Sequence, residues 1–99
     1  MPNLNTAGLR SLGQQQIASF STAKGWTVPS GTTLALVTAE TNAVRWRDDG
    51  TAPTASVGYP LAVGSELAYD VVVGSPGWEQ MLFIPQTGSA TLDITYYGP

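Results

Sequence analysis

The sequence contains neither cysteine nor histidine. Without cysteine the chain has no disulfide framework and no thiolate nucleophile. Without histidine it lacks the side chain that most often serves as general base and as metal ligand. The only lysine, Lys24, lies in the loop sequence AKGW and not in an SxxK arrangement with a serine nucleophile. We therefore expect a protein that is not an enzyme and that holds no cofactor and no metal ion.

Charged residues are also scarce. They make up 11% of the 99 residues, where about 25% is typical of globular proteins. The net charge is −3, with four basic residues in all, too few for the row of phosphate contacts that nucleic-acid binding needs. A surface rich in Thr, Ser, Ala, Gly and Asn repels neighbouring molecules weakly, which suits a protein that packs into an assembly.

Long apolar runs are absent as well. None approaches the roughly 18 residues of a membrane-spanning helix. The start, MPNLNTAGLRSLGQQQ, has no apolar core of the kind found in signal peptides. We expect a protein that does not span a membrane, and that is made in a cytoplasm and used there or carried out within a larger particle.

Residues 1–14 are predicted to form an N-terminal arm, because they combine Pro2 and two glycines with spaced leucines. Leu4, Leu9 and Leu12 are candidate contacts with another subunit, since a polar segment of this kind can become ordered on binding. Three alternatives remain: a short helix over 9–18, strand addition along an exposed sheet edge, and a loose terminus.

Residues 15–99 are predicted to form a single β domain. Short stretches with strand-like composition and alternation are separated by turn residues at spacings of roughly 8–12 residues. The predicted strands are 15–21, 26–28, 32–40, 43–48, 56–61, 66–73, 78–85 and 90–97. Seven or eight short antiparallel strands indicate an all-β sandwich, jelly-roll-like, or a small barrel.

Two of these strands carry clear patterns. Residues 32–40 are nearly apolar on both faces, which is typical of a central strand. Residues 90–97 alternate strictly, so that Ala90, Leu92, Ile94 and Tyr96 are predicted to face inward.

The stretch VRWRDDGTAPT, residues 44–54, is predicted to be a strand that runs into a turn. Trp46 would face the core, with Arg45 and Arg47 on the other face, paired with Glu40, Asp70 or Asp93 across strands or, for Arg47, with Asp49. Asp49, Gly50 and Pro53 supply turn geometry: a side chain that bonds the backbone, a residue tolerant of positive φ, and a stiff return.

A catalytic or metal-binding interpretation of the same stretch competes with the structural one. Asp48 and Asp49 are a pair of carboxylates, but neighbouring side chains on a strand point to opposite faces and would not converge on one substrate. DDG also lacks the further oxygen ligands of a calcium loop.

Aromatic residues allow one further hypothesis. Trp26, Trp78 and Tyr97 could form an exposed row that stacks on pyranose rings, as in a carbohydrate-binding module. The alternative is that these side chains pack in the core, as tryptophans usually do in small domains.

The block ALVTAETNAVRWRDDGTAPTASVGYPL, followed by MLFIPQTGSATLDITYY, resembles a family of small structural proteins encoded in tailed bacteriophages and prophages. Those proteins carry an R-[YW]-R-x-D-G-x-x-P-[TS] turn, then G-x-x-L, a strand of the LxFI type and terminal aromatic residues. The matching residues are Arg45, Trp46, Arg47, Asp49, Gly50, Pro53, Thr54, Gly58, Leu61, Leu82, Phe83, Ile84, Tyr96 and Tyr97. The resemblance covers roughly residues 26–97.

The resemblance implies a virion component, with head decoration or cement on the capsid surface as the leading expectation. The partners would be the major capsid protein or other virion proteins, and the protein would form a dimer or trimer that matches the symmetry axes of a shell. Arg45 and Arg47 join the leucines as candidate contacts, and no catalytic residue is carried over. A head–tail connector or tail component, and a glycan- or receptor-binding module of a tail or fibre, remain as alternatives.

Overall fold

The structure, a computed structural model, describes residues 8–71 and 77–99. Within these ranges eight strands form two four-stranded antiparallel sheets, ordered β1-β8-β3-β6 and β2-β7-β4-β5. The strands are β1 Arg10–Phe20, β2 Lys24–Gly25, β3 Leu34–Ala39, β4 Val44–Arg47, β5 Tyr59–Leu61, β6 Glu66–Asp70, β7 Leu82–Pro85 and β8 Ala90–Gly98. The predicted all-β fold is confirmed; neither sheet closes into a barrel within the described ranges.

The strand pairing follows a simple rule. The first strand pairs with the last, and the pairing continues inward: β1 with β8, β2 with β7, β3 with β6 and β4 with β5. Pairing of this kind arises when one long hairpin wraps into two facing sheets, which is the architecture of a jelly roll. The β3–β8 and β4–β7 ladders then complete the two sheets.

The core lies between the sheets and consists of side chains from both. On β8, the four residues predicted to face inward are each at most 1% exposed, so that prediction is confirmed. β3 lies between β8 and β6, as predicted for a central strand, and buries Ala35, Val37 and Ala39. The second sheet contributes Val44, Leu61 and Phe83 to the same cluster.

The N-terminal boundary differs from the prediction. β1 begins at Arg10 and not near Gln15, so residues 10–14 pair with β8. The alternative of a helix over 9–18 is wrong, because this stretch is a strand. Leu12 packs against the core of its own chain, and Leu9 is half-buried; Leu4 lies outside the described residues.

A β-bulge interrupts the alternation of β1, most of whose second half was predicted as the strand 15–21. Ile17 faces Leu92 and Phe20 faces Ala90, so three steps along β1 match two along β8. Ser19, in the bulge, has φ of +50°. The extra residue brings Ile17 and Phe20 to the same core face, although their spacing does not fit a regular strand.

Other boundaries shift for local reasons. The second strand is Lys24–Gly25 and not 26–28, and β5 begins at Tyr59 after a run of bends. Trp78–Gln80 forms a 3-10 turn before β7, not the first half of a strand. Residues 72 and 73 of the predicted sixth strand, and most of the predicted break at 74–77, lie outside the described residues.

Candidate functional site

The stretch VRWRDDGTAPT comprises an interior strand of the β2-β7-β4-β5 sheet and most of the loop that leads to its edge strand. β4 carries its first four residues, and residues 48–58 connect β4 to β5, the edge strand of this sheet. The two strands pair antiparallel, so that Val44 faces Leu61 and Trp46 faces Tyr59. The connection is therefore an extended loop that returns alongside the strand it left.

The first part of this loop is held by an ion pair. The Arg47 guanidinium donates from Nε to Asp49 Oδ1 at 3.1 Å and from Nη2 to Asp49 Oδ2 at 2.5 Å. The Thr51 backbone N–H also donates to Asp49 Oδ1, at 3.1 Å. These hydrogen bonds hold the pKa of the Asp49 carboxyl below its usual value, and the bond from Arg47 has the larger effect.

The second part is held by Arg45. Its Nε donates to the Ala55 carbonyl at 3.1 Å and its Nη1 to the Gly58 carbonyl at 3.0 Å. The predicted pairing of Arg45 with Glu40, Asp70 or Asp93 is therefore wrong, because the guanidinium instead bonds to carbonyl groups of the returning loop. Thr54 closes the tip, where its Oγ1 accepts the backbone N–H groups of Ser56 and Val57.

The adjacent aspartates diverge. Asp48 Oδ2 accepts the Tyr69 hydroxyl at 2.5 Å, while Asp49 is held by Arg47. Burial raises the pKa of Tyr69 well above its usual value, and the hydrogen bond to the Asp48 carboxylate raises it further. Each carboxylate thus has its own structural partner, which disfavours the paired-carboxylate interpretation.

Glu40 and Asp93, two of the carboxylates predicted to pair with arginine, instead lie next to each other. A hydrogen bond with Asp93, together with the like charge of that carboxylate, raises the pKa of Glu40. Gln16 Nε2 also donates to Asp93 Oδ1 at 3.1 Å. This carboxyl pair therefore belongs to the β1-β8-β3-β6 sheet and is separate from the β4–β5 loop.

An exposed aromatic ring borders the loop. Tyr59 is 67% exposed and stacks on Trp46, with ring centroids 4.9 Å apart and planes inclined by 23°. Trp46 packs against the core and meets Tyr69 edge-on at 6.0 Å. Sequence reasoning placed Trp46 but missed Tyr59, because the pairing of the two depends on the path of the loop.

Two hollows flank the Tyr59 ring. One, of about 280 Å³, is lined by Arg47, Asp48, Asp49, Val57, Gly58 and Tyr59. The other, of about 440 Å³, includes Trp46, Glu66 and Leu67 in its lining. The hollow beside the Arg47–Asp49 pair combines an aromatic side chain with hydrogen-bonding groups.

The three aromatic residues predicted as a sugar-stacking row do not share a surface. Trp26 meets Tyr69, Phe83 and Tyr96 edge-on, and its Nε1 donates to the Trp78 carbonyl at 2.7 Å. Both Trp26 and Trp78 pack against the core. Tyr97 follows the inward-facing Tyr96 on β8 and is half-buried, so it points away from that core.

Comparisons of the chain with protein-family models, with curated proteins and with solved structures find no match. Among the described residues, no three or more Asp or Glu side chains lie together where they could hold a metal ion. In the same ranges, no helix has the length and apolar character needed to cross a membrane. The β4–β5 loop with Tyr59 is therefore the candidate site on geometry alone.

Replacing Gly50 with valine is expected to destabilise the protein by about 1–3 kcal/mol. Gly50 has φ of +85°, a conformation that β-branched residues resist. The added Cβ would meet only the end of the Gln80 side chain, at 2.9 Å, so backbone strain is the main cost. Urea unfolding measures the loss, and G50N, which tolerates positive φ, should lose less. Equal losses in both variants would contradict the explanation.

Proposed function

We propose that this protein is a non-enzymatic structural component of a tailed-phage virion, and that it decorates the capsid surface. There it bridges neighbouring coat subunits, as a dimer or trimer in contact with the major capsid protein or other virion proteins. It is made in the host cytoplasm and joins the head during or after assembly.

The observation that carries the proposal is the role of the family-like turn motif. Arg45, Arg47, Asp49, Gly50 and Thr54 all stabilise the loop itself, through the ion pair, the carbonyl contacts, the positive φ and the tip hydrogen bonds. Pro53, within the loop, is buried. The polar side chains of the motif are thus engaged in holding the loop, which supports a structural role for the motif.

The edge of the first sheet supports an assembly role. β1 is an eleven-residue edge strand, RSLGQQQIASF, whose only charged side chain is Arg10. Lysines and prolines, which commonly protect long edge strands from pairing, are absent from it. We propose this edge as the contact along which a neighbouring subunit adds a strand.

The mechanism of stabilisation would be mass action. A protein that binds the assembled lattice, and not its separate subunits, lowers the free energy of the lattice by RT ln(1 + [L]/Kd) per site. At a concentration one hundred times Kd this amounts to about 2.7 kcal/mol per site. Many such sites together would stabilise a whole shell.

Heat challenge of phage heads tests the proposal. Mature heads assembled without this protein are expected to disassemble at a higher temperature after saturation with it, and an unrelated β-sandwich protein should give no shift. Light scattering and release of packaged DNA report disassembly. An unchanged disassembly temperature at saturating protein would contradict the cement role.

A second variant tests the proposed edge. Gln14 is exposed on β1, and Q14K adds an edge charge of the type that discourages strand addition. The variant should fold normally and raise the disassembly temperature of heads less than the unsubstituted protein does. An equal rise would show that β1 is not the contact.

A further inference from the structure

The Tyr59 ring presents one open face. Trp46 covers the other face, at a centroid distance of 4.9 Å, and yet 67% of the Tyr59 residue surface remains exposed. Because Trp46 packs against the core, the ring rests on a fixed support. A ligand that stacks on Tyr59 would therefore have little side-chain entropy left to remove.

Hydrogen-bonding groups lie next to Tyr59, in a hollow that this residue borders. The hollow of about 280 Å³ that Tyr59 borders is also lined by Arg47 and Asp49. Asp49 takes up the Nε and Nη2 donors of Arg47, out of the five N–H groups that a guanidinium carries. The Asp49 side chain is 52% exposed, so its oxygens can still accept hydrogen bonds from a ligand.

We propose that this hollow binds one neutral pyranose residue of a glycan. A pyranose ring has an apolar face of C–H groups, which stacks on an aromatic ring, and a rim of hydroxyls, which donate to carboxylates and accept from guanidinium groups. Tyr59 would take the C–H face, and Asp49 with Arg47 would take adjacent hydroxyls. The hollow is about the size of a single sugar ring and smaller than most pockets for larger ligands.

The charge balance of the hollow selects a neutral sugar. Among the described residues that line it, Arg47 is the only cationic one, and Asp49 neutralises it. Asp48, also in the lining, adds a negative charge. A carboxylated or sulfated sugar would meet net repulsion, and a purely apolar anchor would have to desolvate the Arg47–Asp49 pair without replacing its water contacts.

This inference goes beyond the proposed decoration role and does not depend on it. A head-surface protein with such a hollow would give each virion many weak glycan contacts, whose combined strength greatly exceeds that of one site. The sequence-based hypothesis of sugar binding rested on Trp26, Trp78 and Tyr97, and the structure moves the candidate surface to Tyr59.

NMR titration of the full-length protein tests the inference. The probes are the methyl glycosides of β-glucose, β-galactose and α-mannose, with N-acetylneuraminic acid as the anionic comparison. At least one neutral glycoside is expected to shift the Trp46 indole N–H and the Thr51 and Gly58 amide signals, with Kd on the order of 1 mM. N-acetylneuraminic acid should bind more weakly.

Variants separate stacking from general effects. Y59A should weaken binding at least about tenfold, whereas Y59F, which keeps the ring, should retain it. Y97A removes an aromatic residue of the other sheet and should bind like the unsubstituted protein. Thermal unfolding checks that each variant is folded.

Three results would overturn the inference: no shift with any neutral glycoside, equal binding by Y59A, or tighter binding of the anionic sugar. If no glycoside binds and Y59A loses its binding to phage heads, the Tyr59 surface is a protein contact and not a sugar site. If the unsubstituted protein binds a neutral glycoside but does not bind phage heads, only the decoration role is contradicted.

Discussion

Replacing Phe83 with alanine is expected to lower the free energy of unfolding by about 3–5 kcal/mol. Phe83 is 0% exposed, lies in the middle of the second sheet opposite Trp46, and meets Trp26 edge-on at 5.8 Å. Domains of this size are stable by only about 5–15 kcal/mol. Urea unfolding should therefore show F83A at or near the limit of folding at room temperature.

Ile84 supplies the matched control for this prediction. It is the next residue on β7, points to the opposite face and is half-buried. I84A should cost clearly less than F83A, because it leaves no cavity between the sheets. A loss for I84A equal to that for F83A would mean that β7 does not present Phe83 to the core.

Alkaline pH is expected to destabilise the protein through Tyr96. This residue is 1% exposed, and burial raises the pKa of its hydroxyl to about 12. In the unfolded chain the same hydroxyl titrates at about 10. Between about pH 10 and about pH 12 the folded protein therefore retains a proton that the unfolded chain has lost. Its contribution to stability is fully present below about pH 10 and is lost as the pH rises toward about 12, with a slope of up to about 1.4 kcal/mol per pH unit.

The variant Y96F tests the origin of this loss. It removes the titrating group, so its stability should fall less between about pH 9 and about pH 11.5 than that of the unsubstituted protein. At neutral pH it should lose about 1 kcal/mol, because the Tyr96 hydroxyl donates to Gln15 Oε1 at 2.6 Å. Because the pKa of Tyr69 is also raised, Y96F should still lose part of its stability at alkaline pH. An identical pH dependence in Y96F would contradict this assignment.

The parts of the fold that could be predicted are those in which a regular strand faces one core. β8 alternates without interruption from Ala90 to Tyr96, and every predicted inward residue is buried. β3 lies between β8 and β6, and its inward-facing Ala35, Val37 and Ala39 are buried, while Leu36 and Thr38 on its other face are half-buried. In these strands local pattern and tertiary burial agree.

The parts that could not be predicted depend on contacts distant in sequence. The bulge at Ser19 breaks the two-residue period, so Ile17 and Phe20 look mismatched until β8 is placed beside them. Trp78 enters a 3-10 turn and not a strand, where its carbonyl accepts the Trp26 indole N–H. Both contacts join residues far apart in the sequence, so the pattern of neighbouring residues does not indicate them.

The candidate site shows the same division. That residues 48–54 form a structural turn followed from Asp, Gly and Pro chemistry. The stacking of Tyr59 on Trp46 could not be predicted in this way, because the register of β5 against β4 depends on the path of the loop. Arg45 holds that loop through the Ala55 and Gly58 carbonyls. Long-range hydrogen bonds of this kind position an exposed side chain without leaving a periodic signal.

The most direct measurement for the decoration role is co-sedimentation of the purified protein with mature phage heads that lack it, quantified as bound copies per head. The proposal predicts saturable binding at a copy number equal to the number of coat subunits or to a simple fraction of it. No binding, or saturation at only a few copies per head, would contradict the proposal. A few copies would instead indicate a connector or tail position.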